Sequence, residues 1–439
     1  MHHYRAKYLL FLLSLVVCVK ASAQTSTVSN PLSERENAPY SQYGVGELWN
    51  GNNAALMGMG NITSAFTSVY EVNSDNPASY SFLGLTTYEL GMTASYRTVA
   101  TNTASYGTGT VSLAYLNIGI PIPVHNKDFA FGLSFGLRPY THMYYSMDDT
   151  IATAIGRTAR YYSGQGAMNF GYIGVAARYK GLSLGANVGY MFGDLRNSTS
   201  VVDIDDSIRA YDAEFSKYNK IGGLYWKGGA LYQADLNKDY SINIGATITL
   251  QQSLNVTQNT YNIGSFNYGD TLVQDTTLNS STKEGKLTMP MSYSFGVLLS
   301  HQSNWSVGID YSATQWSHFR NSVDSTMSLG VGNQSYKLSV GGEYTPNPTS
   351  IRNYLAKVTY RLGFYYGTDF VNLQSTSLPV YGITFGGSLP FKRTTSRIHA
   401  AFDIGRLGTK TNGLIQQTYV RFTLGVSFND RWFRKKAYD

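Results

Sequence analysis

From Thr87 to Phe428 this chain alternates apolar and polar residues with few interruptions, and that period of two constrains its fold more than any other feature of its 439 residues. In the segment from Tyr88, one face reads Tyr88, Leu90, Met92, Ala94, Tyr96 and the other Glu89, Gly91, Thr93, Ser95, Arg97. The segment from Tyr240 sets Ile242, Ile244, Ala246, Ile248 and Leu250 against Ser241, Asn243, Gly245, Thr247 and Thr249. The repeat recurs over 129–137, 182–192, 287–297, 305–311, 336–344, 354–366, 381–389, 398–404 and 420–428. Successive side chains of a strand point to opposite faces, so each segment predicts a strand with one apolar face. Many reach about ten residues, the length a tilted strand needs to cross a bilayer.

Period two alone leaves two folds open. A soluble sandwich buries the apolar face, whereas an outer-membrane barrel turns it to lipid and lines its lumen with the polar one. The connections separate them. Residues 123–127, 180–181, 235–239, 301–304, 345–353 and 390–396 form short links, and 145–160, 194–220, 257–286, 317–334 and 367–378 form long ones, in alternation. Short periplasmic turns facing long outer loops mark bacterial outer-membrane barrels. The expected fold is all-β, a transmembrane antiparallel barrel of about fourteen strands over residues 87–430. Its polar face carries the charges Glu89, Arg97, Asp310, Lys337, Glu343, Lys357, Arg361, Asp403 and Arg421, all expected in the lumen.

The ends of the chain fit that destination. Arg5 and Lys7 precede an apolar run over 8–19, and Ala21-Ser22-Ala23 supplies small residues for cleavage, so residues 1–23 read as a secretory signal peptide. The single cysteine, Cys18, lies within it, leaving no thiol for a disulfide. Without residues 1–23 the net charge falls from +7 to about +4, too mild to suggest nucleic acid. The basic tail 431–439, with Arg431, Arg434, Lys435 and Lys436, is expected near periplasmic headgroups. Trp49, Trp226, Trp305, Trp316 and Trp432 lie near expected strand ends and suit interfacial girdles.

Residues 24–86 have no strand period. They are rich in Gly, Ser, Asn and Ala and end at Asn76-Pro77-Ala78, where Pro77 fixes its own φ and forces Asn76 to be extended. A barrel this wide would leave a hole, which this segment is expected to fill as a plug, with Asn76, Pro77 and Ala78 as its gate. The motifs Tyr43-Gly44-Val45-Gly46, Met57-Gly58-Met59-Gly60 and Asn76-Pro77-Ala78, with the tail from Asn429 to Lys436, resemble the FadL-type outer-membrane transporters of long-chain fatty acids and other hydrophobic compounds. The resemblance implies a hatch within a fourteen-strand barrel, a hydrophobic small-molecule ligand and a kinked third strand facing the hatch. Pro139, directly after the alternating run 129–137, is the candidate for that kink and for a lateral gap in the wall.

Several constellations carry no chemistry. Gly132-Leu-Ser-Phe-Gly136 and Gly181-Leu-Ser-Leu-Gly185 match G-x-S-x-G but fall along strands, without the strand-to-helix turn a nucleophile needs. The calcium-like start at Asp235 has Tyr240 where the loop requires Gly and Ala246 where it requires Glu. Asp203, Asp205 and Asp206 read as a solvated acidic loop, and His125, His142, His301, His318 and His399 share no metal spacing. No catalysis, metal or cofactor is expected. Passive transport of hydrophobic solutes with a lateral exit is the first functional expectation; the alternative is a non-transporting barrel subunit of an envelope secretion or outer-membrane assembly complex. Outer-membrane lipid is the partner common to both.

Overall fold

The computed structural model describes residues 36–432, apart from 50–51, 154–155, 205–211, 269–270 and 303. The expected signal peptide with Cys18, residues 24–35, Asp205, Asp206 and the tail's Arg434, Lys435 and Lys436 lie outside the described residues. Fourteen antiparallel strands close into a barrel. In chain order they are β1 (Thr86–Ala100), β2 (Ser105–Ile122), β3 (Phe129–Thr153), β4 (Gly156–Tyr179), β5 (Leu182–Asp203), β6 (Asp212–Asp235), β7 (Tyr240–Thr249 continued by Gln252–Tyr268) and β8 (Thr271–Met289 continued by Ser292–His301). They continue as β9 (Trp305–Thr314), β10 (Ser335–Tyr344), β11 (Thr359–Leu373), β12 (Thr376–Pro390), β13 (Arg397–Gly408) and β14 (Gln416–Asp430). β14 pairs with β1 along its whole length, from Gln416↔Ala100 to Asp430↔Thr86, so the sheet has no open edge there.

Exposure decides which face meets which medium. Leu90, Met92, Ile173, Phe295, Leu362 and Leu424 point outward and are exposed, while Glu89, Thr93, Arg97, Asp310, Arg361 and Thr423 are buried inside. A soluble protein shows the opposite distribution; this one has an apolar belt for lipid and a polar interior.

The long connections differ from the sequence expectation. Residues 145–160, 194–220, 257–286 and 367–378 belong largely to strands, since β3 to β6 and the outer halves of β7 and β8 run on as hairpins well beyond a bilayer's thickness. Among the described residues of these links, only 317–334 runs as an extended loop, with short 3₁₀ turns Trp316–His318 and Ser325–Ser328.

Three strands change phase at one level of the barrel. In β8 the sequence alternates without a break from Leu287 to Val297, but Pro290 and Met291 interrupt the strand; Leu287 and Met289 lie buried inside while Phe295, of the same parity, faces outward. β7 shifts likewise at Leu250-Gln251, putting Leu254 and Val256 inside where Ile244 and Ile248 face lipid. β3 shifts at Pro139-Tyr140, where pairing with β4 skips from Pro139↔Asn169 to Thr141↔Met168. An extra residue reverses every side chain beyond it. Leu254, Val256, Leu287 and Met289 therefore join an apolar cluster in the outer part of the interior, although the parity rule alone assigns them to lipid.

Candidate functional site

The pairing of two wall strands ends beside Pro139. β2 and β3 pair only from Ile122↔Phe131 to Leu116↔Leu137. Beyond that, the edge of β3 bonds to the inner segment instead: Glu47↔His142 and Leu48↔Thr141 form a two-residue ladder. Ala38 N–H donates to Tyr144 O at 2.9 Å and Trp49 N–H to Tyr140 O at 2.9 Å. Asn37 reaches both sides of the seam, its side-chain amide donating to Tyr106 OH of β2 at 2.6 Å and to Ser146 O of β3 at 2.8 Å. Gly46 permits the close approach: its φ is +95°, and a Cβ there would lie 2.6 Å from His142 O. Residues 37–49 thus act as a short inner strand across a parting of the wall.

The segment then crosses the barrel. Asn53 caps the short helix Ala54–Met57, accepting from Leu56 N–H at 3.0 Å. The segment ends in a 3₁₀ helix, Pro77–Phe82, capped by Asn76, whose side-chain oxygen accepts from Ala78 N–H at 3.0 Å. Asn76, Pro77 and Ala78 rest on β5 and β6: Ser183 Oγ donates to Ala78 O at 2.7 Å, and Asn76 donates to Ala230 O at 3.3 Å. A Cβ on Gly185 would sit 2.5 Å from Pro77, so this part of the second G-x-S-x-G match is a seat for the turn. Both of these turn contacts run to β5 and β6. Asp75, one residue earlier, reaches Arg138 beside Pro139, at 2.8 Å.

Three buried charge clusters bind the segment to the wall. On the periplasmic side Glu71 meets Arg361 of β11 at 3.2 Å, and Arg361 meets Glu343 of β10 at 2.8 Å. His399 stands between Ser388 and Ser427 at 2.6 and 2.7 Å, and Glu89 accepts from Val72 N–H at 3.0 Å. In the middle Asp75 takes Arg138 and Lys227, the latter at 3.3 Å, while Asp310 accepts from the Thr63 and Ser64 N–H groups, both at 2.7 Å. Toward the outer side Arg97 bonds Glu36 at 2.7 Å and Glu47 at 2.9 Å, and Arg421 joins Glu47 at 2.8 Å and Asp403 at 3.6 Å. Burial by itself would raise the carboxyl pKa of Glu47, Glu71 and Asp75. The facing cations, chiefly Arg97, Arg361 and Arg138 respectively, outweigh it and hold all three below the usual carboxylate range.

Above these clusters lies an apolar layer missed by the sequence reasoning. Met143, Met168, Met191, Leu195, Leu254, Leu287 and Met289 point inward and pack with Trp316, Phe319, Met327 and Phe370. Trp316 stacks on Phe370 with ring centroids 4.3 Å apart and is 1 % exposed, so it belongs to this core and not to a girdle. Trp49 likewise lies inside, against the seam. Trp226 and Trp432 are exposed. Met143 and Met289, each close to a proline in an alternating run, were the available signal.

Between the layers remains a cavity of about 200 Å3, lined by Asp75, Arg138, Lys227, Asp310 and Lys337 among others. It is small and charged, unlike the apolar pockets of several hundred Å3 that hold drug-sized ligands. Lys357 departs from its expected place: β11 begins at Thr359, and Lys357 ends a 3₁₀ turn, Leu355–Lys357, at the periplasmic rim. The preceding Pro346 and Pro348 interrupt the ladder that alternation alone would extend. The His399 network resembles a hydrolytic constellation, but Ser388 and Ser427 are buried away from the mouth cavity, so it serves as packing.

A family model described as BamG matches residues 6–439. A comparison with curated proteins finds no match. Among solved structures the chain is similar to the Ralstonia pickettii toluene transporter TbuX, at 15% identity and TM-score 0.55 over 87% of this chain and 99% of that one. It is also similar to the P. putida toluene transporter TodX, at 17% identity and TM-score 0.57 over 88% and 100%, and to a Pseudomonas aeruginosa FadL homologue, at 13% and 0.56 over 88% and 99%. At these identities the likeness establishes the fold alone: a FadL-type barrel.

Proposed function

This chain belongs to the BamG family, and from that premise we propose that it is a closed, non-conducting barrel serving as a protein-docking subunit of an outer-membrane assembly complex. The observation that carries this reading is the filled interior. The inner segment is tied to β1, β3, β6, β9, β11 and β14 by buried ion pairs and hydrogen bonds, and the apolar layer closes the outer half. An apolar solute crossing toward the periplasm would have to part buried pairs, each costing about 3–5 kcal/mol to break by loss of one partner.

A second reading, passage of hydrophobic small molecules, is favoured by the seam between β2 and β3 and by the likeness to toluene transporters. A solute entering among the outer hairpins would displace residues 37–49 and leave sideways into lipid, driven by burial of its apolar surface. That route leaves the periplasmic ion pairs intact; Asn76-Pro77-Ala78 would gate any deeper one. The deciding experiment is affinity isolation from gently solubilised envelopes, read for protein and for bound apolar molecules. A stoichiometric protein partner without ligand supports docking. A bound hydrophobic molecule without partner supports transport and sinks the first reading.

A further inference from the structure

The central cavity holds three cations, Arg138, Lys227 and Lys337, against two carboxylates, and a larger excess lies elsewhere. At the periplasmic mouth a cavity of about 1090 Å3 opens between the inner segment at Phe66 to Glu71, the β10–β11 and β12–β13 turns and the end of β14. Its lining includes six cations, Lys357, Arg361, Lys392, Arg393, Arg397 and Arg431, and three carboxylates, Glu71, Glu343 and Asp430. Arg361 consumes Glu71 and Glu343. The other five have no ion pair with a carboxylate among the described residues, and Arg397 instead stacks over the Tyr70 ring, 4.6 Å from its centroid. Gathering like charges in a concave site is unfavourable unless an anion arrives to offset them, and such a site focuses potential on that anion.

We propose that this mouth is a docking site for an acidic, Asp/Glu-rich segment of a periplasmic partner protein. The position selects protein over lipid. The cavity is bounded by the inner segment and by Arg361, whose side chain points inside the strand ring, so leaflet headgroups lie outside it. Its volume suits several side chains, far more than one phosphate. Lys392 and Arg393 are exposed on the β12–β13 turn and reach a partner first; Arg397 and Lys357 lie deeper. An occupant would also touch Tyr70, linking docking to the segment that fills the barrel. This inference names the partner chemistry for the docking function proposed above and rests on that reading.

The test uses the full chain in nanodiscs and a fluorescent ten-residue Glu-rich peptide, with a Gln-rich peptide of equal length as control. Saturable binding of the acidic peptide should weaken at least tenfold in the Lys392→Glu, Arg393→Glu double variant and at high salt, but persist when the outer-side Lys283→Glu, Lys286→Glu changes are made. Both changed pairs are exposed, and an unaltered heat-dependent gel shift verifies the barrel in each. Equal binding by the mouth variant, or binding lost equally in the outer-side variant, overturns the site. Peptide binding that is seen in neutral discs but abolished when the disc carries anionic lipid assigns these cations to headgroups and also overturns it. If the peptide result fails while a stoichiometric complex is still isolated, only this inference falls; if peptide binding holds and no complex exists, the docking function falls.

Discussion

Arg361 shows how much one side chain holds. It is 3 % exposed and joins Glu71 of the inner segment to Glu343 of the wall. Arg361→Met would leave Glu71 without its cation in a buried site, with Glu343 unpaired at the half-buried edge beside it, at a cost of about 3–5 kcal/mol. Expected is a clearly lower temperature for the heat-dependent gel shift; an unchanged temperature would mean that the pair anchors nothing. The same logic gives a pH window. Glu47, Glu71 and Asp75 have pKa values depressed in the folded state, so their contribution is fully present above the free carboxyl value, about 4, and is lost as pH falls through the lower folded values. In planar bilayers the protein should stay silent from pH 8 to 5 and begin to conduct only below about pH 4. Opening above pH 5 would contradict this assignment.

Among the elements, the inner strand at Glu47–Leu48 is the one with a consequence for the wall. Because β2 leaves β3 at Leu116↔Leu137, the edge of β3 depends on residues 37–49 for its partners. Gly46→Val combines a φ of +95°, costly for a branched residue, with a collision at His142 O. It should expel the inner strand and open the seam, giving steady conductance or dye uptake absent from the parent. A silent Gly46→Val variant that is correctly inserted would show that the wall closes without this strand. The break at Leu250-Gln251 should be less sensitive, since β7 stays paired with both β6 and β8 on either side of it.

For the whole molecule, orientation and closure can be tested together. Short turns belong on the periplasmic side, so a tag at Ser325 should be reached from outside intact cells and one at Asn237 should not. Labelling at Asn237 would invert the barrel. Deleting residues 24–75 should leave strands that still satisfy their own backbone groups, apart from the upper edge of β3, and insert as a conducting ring. If parent and deletion conduct alike, the segment does not occlude the lumen.

The alternation of Tyr88 to Arg97 and its many repeats determined by themselves that this chain is all-β with one apolar face, and the short and long links pointed to a barrel. The Pro77 turn was equally legible, because proline restricts its own φ and the residue before it. Tertiary structure alone decided the interior. Parity is a local property, and a single extra residue at Pro139, Leu250 or Pro290 reverses it, so Leu254 and Met289 read as lipid-facing yet build an inner core. Partners were invisible for a related reason: Glu47 with Arg97 and Arg421, or Glu71 with Arg361, are separated by up to hundreds of residues, and only closure of the ring brings them within hydrogen-bonding distance. The sequence could list the charges of the polar face, but which of them are paired, and which cations at the periplasmic mouth are left over, depends on where the inner segment lies.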